Sequence, residues 1–376
     1  MAFSYSGPIP ASKSLLNRWL IVQSYTLAGE IVLHGDSQAD DVKLMRQALS
    51  DFKNGKTEFN CGAAGTVLRF LALRVSREKG EFVLRGSKRL FERPQQELCK
   101  ILQQLGAKAE MNSEKTYLKI TSQGWNIPVP PLEISGAESS QFASAVLLNT
   151  IGLEKPLQIK LSEEMVSESY FAMTQQVMQQ AAKSKKNIFI ELDMSSAFAI
   201  AALAALSGKC ELQNFPRESL QPDFIFVELL KKMGVHVELK SKTLKVSSTQ
   251  NLEPIEFNLK NAPDLFPLLA VLCAFVEGKS VLFGAPHLKS KESDRIAKTA
   301  ELIRLCGRKV EEREDGLVIY GSQKKIKMAR STFDPAEDHR LVMAAAMANA
   351  GGADIHILNP LVVNKSFPEF LEITSC

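Results

Sequence analysis

Some segments of this chain are so uniformly apolar that, as helices, they have no face to offer to water. The clearest are residues 197–206 and 341–348, which consist of alanine, leucine and other apolar residues. A helix that is apolar on every face has to be buried on every side. The free N–H groups of its first turn still need partners, so a polar N-terminus has to emerge where they are satisfied. The fold therefore has to enclose helices and expose their first turns.

The same arrangement recurs along the chain as a turn, then Ser, Thr or Asp, then an apolar helix. Six such starts lie at residues 12–14, 65–66, 139–142, 193–198, 263–266 and 337–340. Their spacing of roughly 50 to 75 residues is long for a solenoid and fits repeated small α/β units. Short β-rich runs lie between them, at 81–85, 117–120, 188–192 and 280–283. The pattern predicts an α/β fold.

Each start by itself can be explained as an ordinary N-cap. The six together also carry lysine, arginine, glutamine and histidine, which capping does not require. Buried helices in two groups of three would direct six N-termini toward a shared cleft. Helix N-termini bind anions, because their N–H groups are free and the helix dipole is positive there. We therefore expect an anion-binding cleft.

Two segments combine cations and hydroxyl groups at helix starts. Residues 12–18 (SKSLLNR) open an apolar helix with a lysine, hydroxyls and an arginine, which is the composition of an anion site. Residues 291–295 (KESDR) place both signs of charge within one turn, as acid–base chemistry on an anionic substrate requires. A capped helix with a solvated face explains either segment alone. Their occurrence together with the other starts favours a catalytic site.

The overall composition excludes few classes of protein. Net charge is +4, so the chain does not demand nucleic acid or an anionic membrane as a partner. We identify no N-terminal signal sequence and no apolar run long enough to cross a membrane. The six cysteines, at positions 61, 99, 210, 273, 306 and 376, show no metal-binding or paired spacing. They are therefore interpreted as reduced thiols of a cytoplasmic protein.

An ordered set of motifs resembles the 5-enolpyruvylshikimate-3-phosphate synthase family of enolpyruvyl transferases over essentially the whole chain. In the first half these are SKSLLNR (12–18), DDVKLM (40–45), AGTVLR (64–69), ERP (92–94), SSQF (139–142) and VSESY (166–170). In the second half they are DMSSA (193–197), QPDFIFVELLKKMG (221–234), PD (263–264), KESDR (291–295), DHR (338–340) and NKSFP (364–368). Each motif is weak alone, but the ordered set is specific to this family.

The resemblance implies an α/β (α+β) fold of two similar lobes with a cleft between them. Each lobe would consist of three βαβαββ units around buried parallel helices. Residues 12–192 would form the lobe with most shikimate 3-phosphate contacts. Residues 1–11 and 193–376 would form the other lobe, which carries Asp264, Glu292, Arg295, Arg340 and Lys365.

The resemblance further implies transfer of the enolpyruvyl group of phosphoenolpyruvate to the 5-hydroxyl of shikimate 3-phosphate, with release of phosphate. Two phosphates and two carboxylates have to be bound close together, which requires many converging cations. Neither a metal ion nor an organic cofactor is expected. The partners would be these two small molecules rather than nucleic acid or membrane, and the chain is expected to be a monomer. The phosphoenolpyruvate site of the family is also the target of glyphosate.

The resemblance also assigns site residues, by position in this sequence. The phosphoenolpyruvate set is Lys13, Gly65, Arg93, Gln141, Arg295, Arg340 and Lys365. The shikimate 3-phosphate set is Lys13, Ser14, Arg18, Ser139, Ser140, Gln141, Ser167, Asp264 and Lys291. The catalytic set is Lys13, Asp264 and Glu292, with Asp264 accepting the proton of the 5-hydroxyl and Glu292 protonating the methylene carbon of phosphoenolpyruvate. Asp264 as an N-cap, Glu292 as a first-turn acid and Lys365 as a surface lysine are the simpler explanations of those residues, and the role of His339 is left open.

The chain departs from the family pattern at several positions. Ala63 stands where the family usually has a polar residue, and Glu168-Ser169 follows Ser167 where a cation and proline are usual. Asparagine is common in the family near His287. The segment 181–192 is short, as is the whole chain. These differences concern mainly the shikimate side and leave open reduced activity or a related acceptor alcohol.

Three other functions remain to be distinguished. The cell-wall branch of the superfamily transfers enolpyruvate to UDP-N-acetylglucosamine, but it uses a cysteine in a glycine-rich loop, and no cysteine here has that context. A non-catalytic ligand-binding relative would not be expected to retain Lys13, Asp264, Glu292, Arg295 and Arg340 together. A relative that modifies polynucleotide ends is disfavoured by the low net charge and by the SKSLLNR start.

Overall fold

The computed structural model describes residues 3–26, 30–183, 185–249, 251–324 and 329–374. The expected mixed α/β architecture is confirmed, with helices and several small sheets. The chain divides into two compact units. One consists of Met1–Ser12 and Glu191–Cys376 and is called the split unit; the other is Lys13–Ile190 and is called the inserted unit. Cys376, one of the predicted reduced thiols, lies outside the described residues.

The described residues form thirteen α-helices. They are α1 (Lys13–Gln23), α2 (Asp40–Lys53), α3 (Gly65–Val75), α4 (Lys88–Glu92), α5 (Gln96–Gln104), α6 (Gln141–Leu148), α7 (Glu168–Ala181), α8 (Met194–Ser207), α9 (Phe226–Lys232), α10 (Phe266–Ala274), α11 (Arg295–Leu305), α12 (His339–Ala350) and α13 (Phe370–Thr374). Short 3₁₀ turns lie at Pro222–Ile225, Pro263–Leu265, Pro286–Ser290 and Pro360–Lys365. No helix in these ranges combines the length and apolar character needed to cross a membrane.

The same residues form eighteen strands. They are β1 (Phe3–Pro8), β2 (Val32–His34), β3 (Glu58–Asn60), β4 (Lys79–Arg85), β5 (Lys108–Met111), β6 (Tyr117–Gln123), β7 (Leu132–Ile134), β8 (Ile159–Leu161), β9 (Asn187–Phe189), β10 (Gly208–Gln213), β11 (His236–Lys240), β12 (Thr243–Ser247), β13 (Glu256–Asn258), β14 (Gly278–Phe283), β15 (Lys309–Arg313), β16 (Gly316–Gly321), β17 (Ser331–Phe333) and β18 (Ile355–Ile357).

Three sheets have four strands each and share one topology. Their orders are β3-β4-β6-β5 in the inserted unit, and β1-β10-β12-β11 and β13-β14-β16-β15 in the split unit. Each has a parallel pair followed by an antiparallel hairpin, as in β3∥β4 with the β5–β6 hairpin added to β4. This is the strand content expected of a βαβαββ unit.

Three further sheets keep only the parallel pair: β2–β9 and β7–β8 in the inserted unit, and β17–β18 in the split unit. In the inserted unit the reason is visible in the chain path. Helix α2 ends at Lys53 and β3 begins at Glu58, and α7 ends at Ala181 and β9 begins at Asn187. Neither gap has room for a hairpin. The shortness of the segment 181–192, and of the chain, therefore reflects hairpins that the described residues do not contain.

The predicted buried helices are present. Helix α8 is buried from Met194 to Ala205 except at Ser195, and α12 is buried from His339 to Ala348 except at Ala346. All nine residues of α10 are buried as well. These helices lie in one continuous apolar core of the split unit. Carboxylates cap two of these helices, Asp193 accepting from the N–H of Ser196 and Asp338 from that of Arg340. The core thus fixes the helix axes, and the caps fix where their first turns lie.

Four cysteines are buried free thiols, as the sequence predicts. Burial raises the pKa of Cys61, Cys210, Cys273 and Cys306 to about 12 in each case. Their thiolates are therefore negligible near neutral pH, and packing is their role in the fold.

Candidate active site

Arg295 is the centre of a charge cluster in the split unit. It is the first residue of α11 and only 1% exposed. Its Nε donates to Oδ2 of Asp338 at 2.7 Å, and its Nη1 donates to Oδ1 of Asp264 at 2.8 Å. Its Nη2 donates to Oε2 of Glu292 at 3.0 Å. One guanidinium therefore binds three carboxylates that come from three separate segments of the chain.

Two further cations complete this cluster. Arg340, in the first turn of α12, donates from Nη2 to Oδ2 of Asp264 at 2.7 Å. Lys365, at the end of a 3₁₀ turn, donates from Nζ to Oε1 of Glu292 at 3.0 Å. Asp264 therefore links two arginines, and Glu292 links an arginine to a lysine. Five of the six site residues predicted in the split unit are therefore joined by direct hydrogen bonds; the sixth is Lys291.

The local sequence alone does not favour this placement of charge. Arg295 and Arg340 lie in the first turns of helices, where the helix dipole disfavours cations. Their burial without counter-ions would be costly. The carboxylates of Asp264, Glu292 and Asp338 supply those counter-ions, so an arrangement that helix propensity opposes is stabilised by ion pairs. Such an arrangement is typical of a functional site.

The ion pairs set the charge state of Asp264. Burial by itself would raise the pKa of this carboxyl, but Arg340, Arg295 and Lys291 outweigh that effect. The pKa therefore lies well below its usual range, and Asp264 is ionised. Burial likewise would lower the pKa of Arg295, but Asp338, Glu292 and Asp264 raise it well above its ordinary value. Lys291 belongs to the cluster through its electrostatic effect on Asp264.

His287 lies close to the same charges. It is buried in the 3₁₀ turn Pro286–Ser290. Burial is the main cause that lowers its pKa to about 3; Lys291 and Arg295 add to that effect, and Asp264 opposes it. The imidazole is therefore neutral near pH 7. It therefore adds no charge to the cluster.

In the inserted unit, Lys13 is the first residue of α1. Its Nζ lies 3.0 Å from Oδ2 of Asp41, which belongs to α2, and both side chains are largely buried. Ser14 follows it and is half-buried. The lysine is held by a carboxylate at the start of the next helix. Asp41 was not among the predicted residues, although the DDVKLM motif contains it.

Arg18 connects two helices of the inserted unit. Its Nε donates to Oγ1 of Thr174 at 2.7 Å, and its Nη2 donates to the carbonyl oxygen of Tyr170 at 3.1 Å. Its Nη1 donates to the carbonyl oxygen of Ser14, and its guanidinium lies over the ring of Phe70. Burial lowers the pKa of Arg18 to about 10. In this structure Arg18 fixes α7 against α1, so its predicted contact with a substrate would be made from a side chain that is already hydrogen-bonded.

Gly65, Arg93 and Gln141 lie close together in the inserted unit. A Cβ atom added to Gly65 would lie 2.9 Å from Nη1 of Arg93. Gln141 begins α6, and its Nε2 donates to Oγ1 of Thr66, next to Gly65, at 3.2 Å. Three of the residues predicted to bind phosphoenolpyruvate therefore lie in or beside the first turn of α3.

Three predicted serines lie at the starts of α6 and α7. Ser139 accepts the N–H of Gln141 at its Oγ, and Ser140 occupies the N-cap position of α6. Ser167 precedes α7 with a φ of 54°, in the left-handed region. Glu168, which follows it, is exposed in the first turn of α7, where the helix dipole favours an acidic residue. The charge reversal at this position is therefore compatible with the local structure.

Comparison with known proteins extends over almost the whole chain. A sequence model of the family described as EPSP synthase (3-phosphoshikimate 1-carboxyvinyltransferase) matches residues 30–183 and 179–373. The chain belongs to the EPSP synthase family. A 3-phosphoshikimate 1-carboxyvinyltransferase of Methanosphaerula palustris is 32% identical, with 96% of this chain and 94% of the relative covered. A protein of the same name from Pasteurella multocida is 29% identical, with 97% and 93% covered.

Solved structures agree with this fold. An EPSP synthase of Acinetobacter baumannii has a TM-score of 0.73 at 24% identity, and the alignment covers 100% of this chain and 95% of that one. The enolpyruvyl transferase NikO of Streptomyces tendae has a TM-score of 0.69 at 12% identity, covering 100% and 94%. At these identities the likeness establishes the fold, including the two-lobed type predicted from the family motifs.

In this member of the EPSP synthase family, Asp338, Ser195 and Asp223 contact the predicted site residues or affect them electrostatically, but they were not predicted from the sequence. Asp338 is fully buried and bonds to Arg295, but its position before a helix is explained equally well by capping. Ser195 accepts from Nη2 of Arg340 at 3.2 Å and donates to Asp223. Burial, then Asp264, raises the pKa of Asp223 to about 7. The motifs DHR, DMSSA and QPDF contain these residues, so the family pattern held the signal.

No group of three or more His, Cys, Asp or Glu within the described ranges is arranged to hold a metal ion. The carboxylates of the split-unit cluster are paired with arginine and lysine instead.

Proposed function

We propose that this chain transfers the enolpyruvyl group of phosphoenolpyruvate to the 5-hydroxyl of shikimate 3-phosphate and releases phosphate, as a 3-phosphoshikimate 1-carboxyvinyltransferase of the shikimate pathway. The observation that carries the proposal is the cluster of Asp264, Glu292, Arg295, Arg340 and Lys365 in a chain that matches the family over nearly its full length. It combines carboxyls for proton transfer with cations for phosphate and carboxylate groups.

The proposed reaction has two steps. In the addition, the 5-hydroxyl oxygen bonds to carbon 2 of phosphoenolpyruvate, its proton goes to a base, and carbon 3 receives a proton. In the elimination, carbon 3 loses a proton and the bond from carbon 2 to the phosphate oxygen breaks. Phosphate leaves and the enolpyruvyl ether remains. Asp264 is the proposed base for the hydroxyl proton, Glu292 is the proposed donor to carbon 3, and Lys13 is the third catalytic residue.

Substrate contacts are proposed on the same basis. Phosphoenolpyruvate would be bound by Lys13, Gly65, Arg93, Gln141, Arg295, Arg340 and Lys365. Shikimate 3-phosphate would be bound by Lys13, Ser14, Arg18, Ser139, Ser140, Gln141, Ser167, Asp264 and Lys291. The inserted unit would thus supply most contacts to shikimate 3-phosphate. The split unit would supply the carboxyls that move protons.

The ion pairs suggest how substrate could activate Asp264. Arg295 and Arg340 hold its two oxygens and keep its pKa low, which makes it a weak base. The phosphate and carboxylate of phosphoenolpyruvate are anions that compete for the same two guanidinium groups. When an arginine turns to substrate, burial is less opposed and the pKa of Asp264 rises. Asp264 therefore becomes a stronger base only when phosphoenolpyruvate is bound.

The finer assignments follow from the family rather than from geometry. We propose that the partners are these two small molecules and not nucleic acid, that neither a metal nor an organic cofactor is required, and that the chain acts as a cytoplasmic monomer. The buried reduced thiols are compatible with that compartment.

The test is phosphate release by the purified chain. We expect release only when both phosphoenolpyruvate and shikimate 3-phosphate are present, unchanged by a chelator. Lys13→Ala, Arg295→Ala and Glu292→Gln should each lower turnover by at least about a hundredfold. Arg304→Gln is the matched control, because Arg304 lies on the same helix as Arg295 but forms an exposed pair with Glu312. Equal activity with UDP-N-acetylglucosamine, or no release with any acceptor, would refute the proposal.

A further inference from the structure

Arg69 occupies a central position in the inserted unit that the site assignments above do not include. It lies on α3, one helical turn after Gly65, and is only 3% exposed. A buried arginine needs partners for several N–H groups, so its contacts show which segments it holds together.

The guanidinium of Arg69 binds two segments with three nitrogens. Its Nη1 donates to Oε1 of Gln141 at 2.8 Å, at the start of α6. Its Nη2 donates to the carbonyl oxygen of Pro94 at 3.1 Å, and its Nε donates to Oε1 of Gln95 at 3.3 Å. The group also lies over the ring of Phe142, 4.6 Å from the centroid. Its planar, fixed fork of donors allows one side chain to hold α3, α6 and the segment 94–95 in one geometry.

These contacts determine the orientation of the Gln141 amide. An arginine has no acceptor atom, so the oxygen of the amide has to face Arg69. The amide nitrogen then faces Thr66, where it donates to Oγ1 at 3.2 Å. The second N–H of Nε2 keeps a fixed direction. A fixed N–H donor is suited to an anionic ligand, whereas the flipped amide would present an oxygen to it.

The side chain of Arg69 also fixes the position of the backbone next to Arg93. Arg69 binds the carbonyl oxygen of Pro94, the next residue, while the guanidinium of Arg93 lies against Gly65. Gly65 and Arg69 share α3. The three segments that carry Gly65, Arg93 and Gln141 are therefore tied to one buried cation.

We propose that Arg69 is a positioning residue that aligns Gln141 and Arg93 for phosphoenolpyruvate without touching the substrate. This inference rests on the proposed function, because it concerns the same binding site. It predicts that loss of Arg69 weakens phosphoenolpyruvate binding beyond what its effect on folding stability explains.

Arg74 provides a matched control on the same helix. It is also buried, at 8% exposure, and its guanidinium lies over the ring of Tyr25 at 4.2 Å. Its Nε donates to Oγ of Ser24 at 2.9 Å, and its Nη1 donates to Glu78. Arg74 thus has the burial and ring stacking of Arg69, but it donates to Ser24 and Glu78 rather than to Gln141 and Pro94. The Arg74→Met variant therefore measures how much folding stability is lost when a buried arginine is removed from α3.

The first measurement compares steady-state kinetics and melting temperature for Arg69→Met, Arg69→Lys and Arg74→Met. We expect Arg69→Met to raise the KM for phosphoenolpyruvate by about tenfold or more, as displacement of binding groups does. Arg69→Lys should give an intermediate KM, because an ammonium is a point donor that cannot reproduce the planar fork. Arg74→Met should lower the melting temperature to a similar extent and leave this KM unchanged. An unchanged KM in Arg69→Met, or an equal rise in Arg74→Met, would overturn the proposal.

The second measurement does not depend on turnover. Backbone hydrogen exchange in residues 93–98 and 139–145 should be faster in Arg69→Met than in the wild type, and unchanged in Arg74→Met. Exchange that is unchanged in Arg69→Met would disprove the positioning role even in an active enzyme. A wild-type chain that releases no phosphate would instead disprove the proposed function, while faster exchange in Arg69→Met would still support the structural role.

Discussion

At the scale of single residues, the molecule is distinguished by buried charges that are balanced by particular partners. Arg295 alone binds three carboxylates, and Asp264 binds two arginines. Removal of one partner leaves a buried charge uncompensated, and that usually costs more than the pair itself contributes. The loss of turnover in Arg295→Ala should therefore be compared with its melting temperature, whereas Glu292→Gln keeps the shape of the side chain and removes only its charge.

Asp223 gives a prediction for stability against pH. Its pKa is raised to about 7, mainly by burial and by Asp264, so the folded protein binds this proton more tightly than the unfolded chain. The stabilisation is complete below the unfolded pKa of about 4 and is lost as pH rises through about 7. Asp223→Asn removes this titration. We expect the melting temperature of the wild type, minus that of the variant, to fall between about pH 5 and pH 8.

The exposed Asp36→Asn is the control for this series, because it removes a carboxyl from the surface rather than from the core. A constant difference for Asp223→Asn over the same range would show that Asp223 does not titrate there.

Gly65 gives a prediction for inhibition. A Cβ at this position would lie 2.9 Å from Nη1 of Arg93, the flexible end of a side chain, so the fold should survive while the arginine shifts. We expect Gly65→Ala to raise the Ki of glyphosate by a larger factor than it raises the KM for phosphoenolpyruvate. If displacement of Arg93 is the cause, the effect should shrink in an Arg93→Lys background, as a double-mutant cycle would detect. Resistance in the wild type, with no change in Gly65→Ala, would show that this loop is assigned wrongly.

At the scale of elements, helix starts bring the site residues into place. Asp294 accepts the N–H groups of Ile296 and Ala297 at 3.1 Å each, and the next residue, Arg295, begins α11. The cap therefore fixes both the start of the helix and the origin of the central guanidinium.

Asp294→Ala should lower the free energy of unfolding by about 1 kcal/mol, the usual contribution of an N-cap. It should also reduce turnover, because the first turn that carries Arg295 is released. Asp294→Asn is the matched variant, since its amide oxygen can accept the same N–H groups and should preserve most of both quantities. Urea unfolding and phosphate release measure the two effects. Equal losses in the two variants would mean that the charge of Asp294, rather than capping, is what counts.

The sequence predicted these elements unevenly. Residues 197–206 and 341–348 had to be buried helices because they offer no polar face, and α8 and α12 are buried over nearly all of these residues. Partners distant in sequence could not be predicted in the same way. Arg69 and Gln141 are 72 positions apart, and within its own helix Arg69 is one of two arginines in an otherwise apolar run. The sheets that lack a hairpin were also not predicted strand by strand, because a missing segment leaves no pattern to analyse.

At the scale of the whole molecule, the two units differ in how the chain forms them. The inserted unit is continuous, whereas the split unit requires β1, which pairs in parallel with β10 from Phe3 to Pro8. Its sheet is therefore complete only when β1 is joined by β10, β11 and β12, which follow the inserted unit in the sequence. The family motifs predicted two lobes, but the boundary between them could not be deduced from composition, since no linker-like segment marks it.

We expect residues 13–190 alone to unfold cooperatively in urea, because that segment has its own buried core. Residues 191–376 without β1 should be markedly less stable, since β10 would then present an unpaired edge. Circular dichroism and limited proteolysis of the two fragments would measure this difference. A cooperative 191–376 fragment as stable as the same fragment joined to residues 1–12 would contradict it.

The internal counter-ions of Arg295 and Arg340 have a thermodynamic consequence for ligand capture. An anion that takes these guanidinium groups displaces carboxylates that the protein itself supplies, and those carboxylates stay nearby without their cations. Glu292, the proposed proton donor, then loses its contact with Arg295 and takes up a proton from the buffer, whereas Asp264, the proposed base, stays ionised. Binding of phosphoenolpyruvate should therefore consume protons, and its calorimetric enthalpy should vary with the ionisation enthalpy of the buffer. The carboxylates that neutralise these arginines in the free protein are thus replaced by the anionic groups of the substrate.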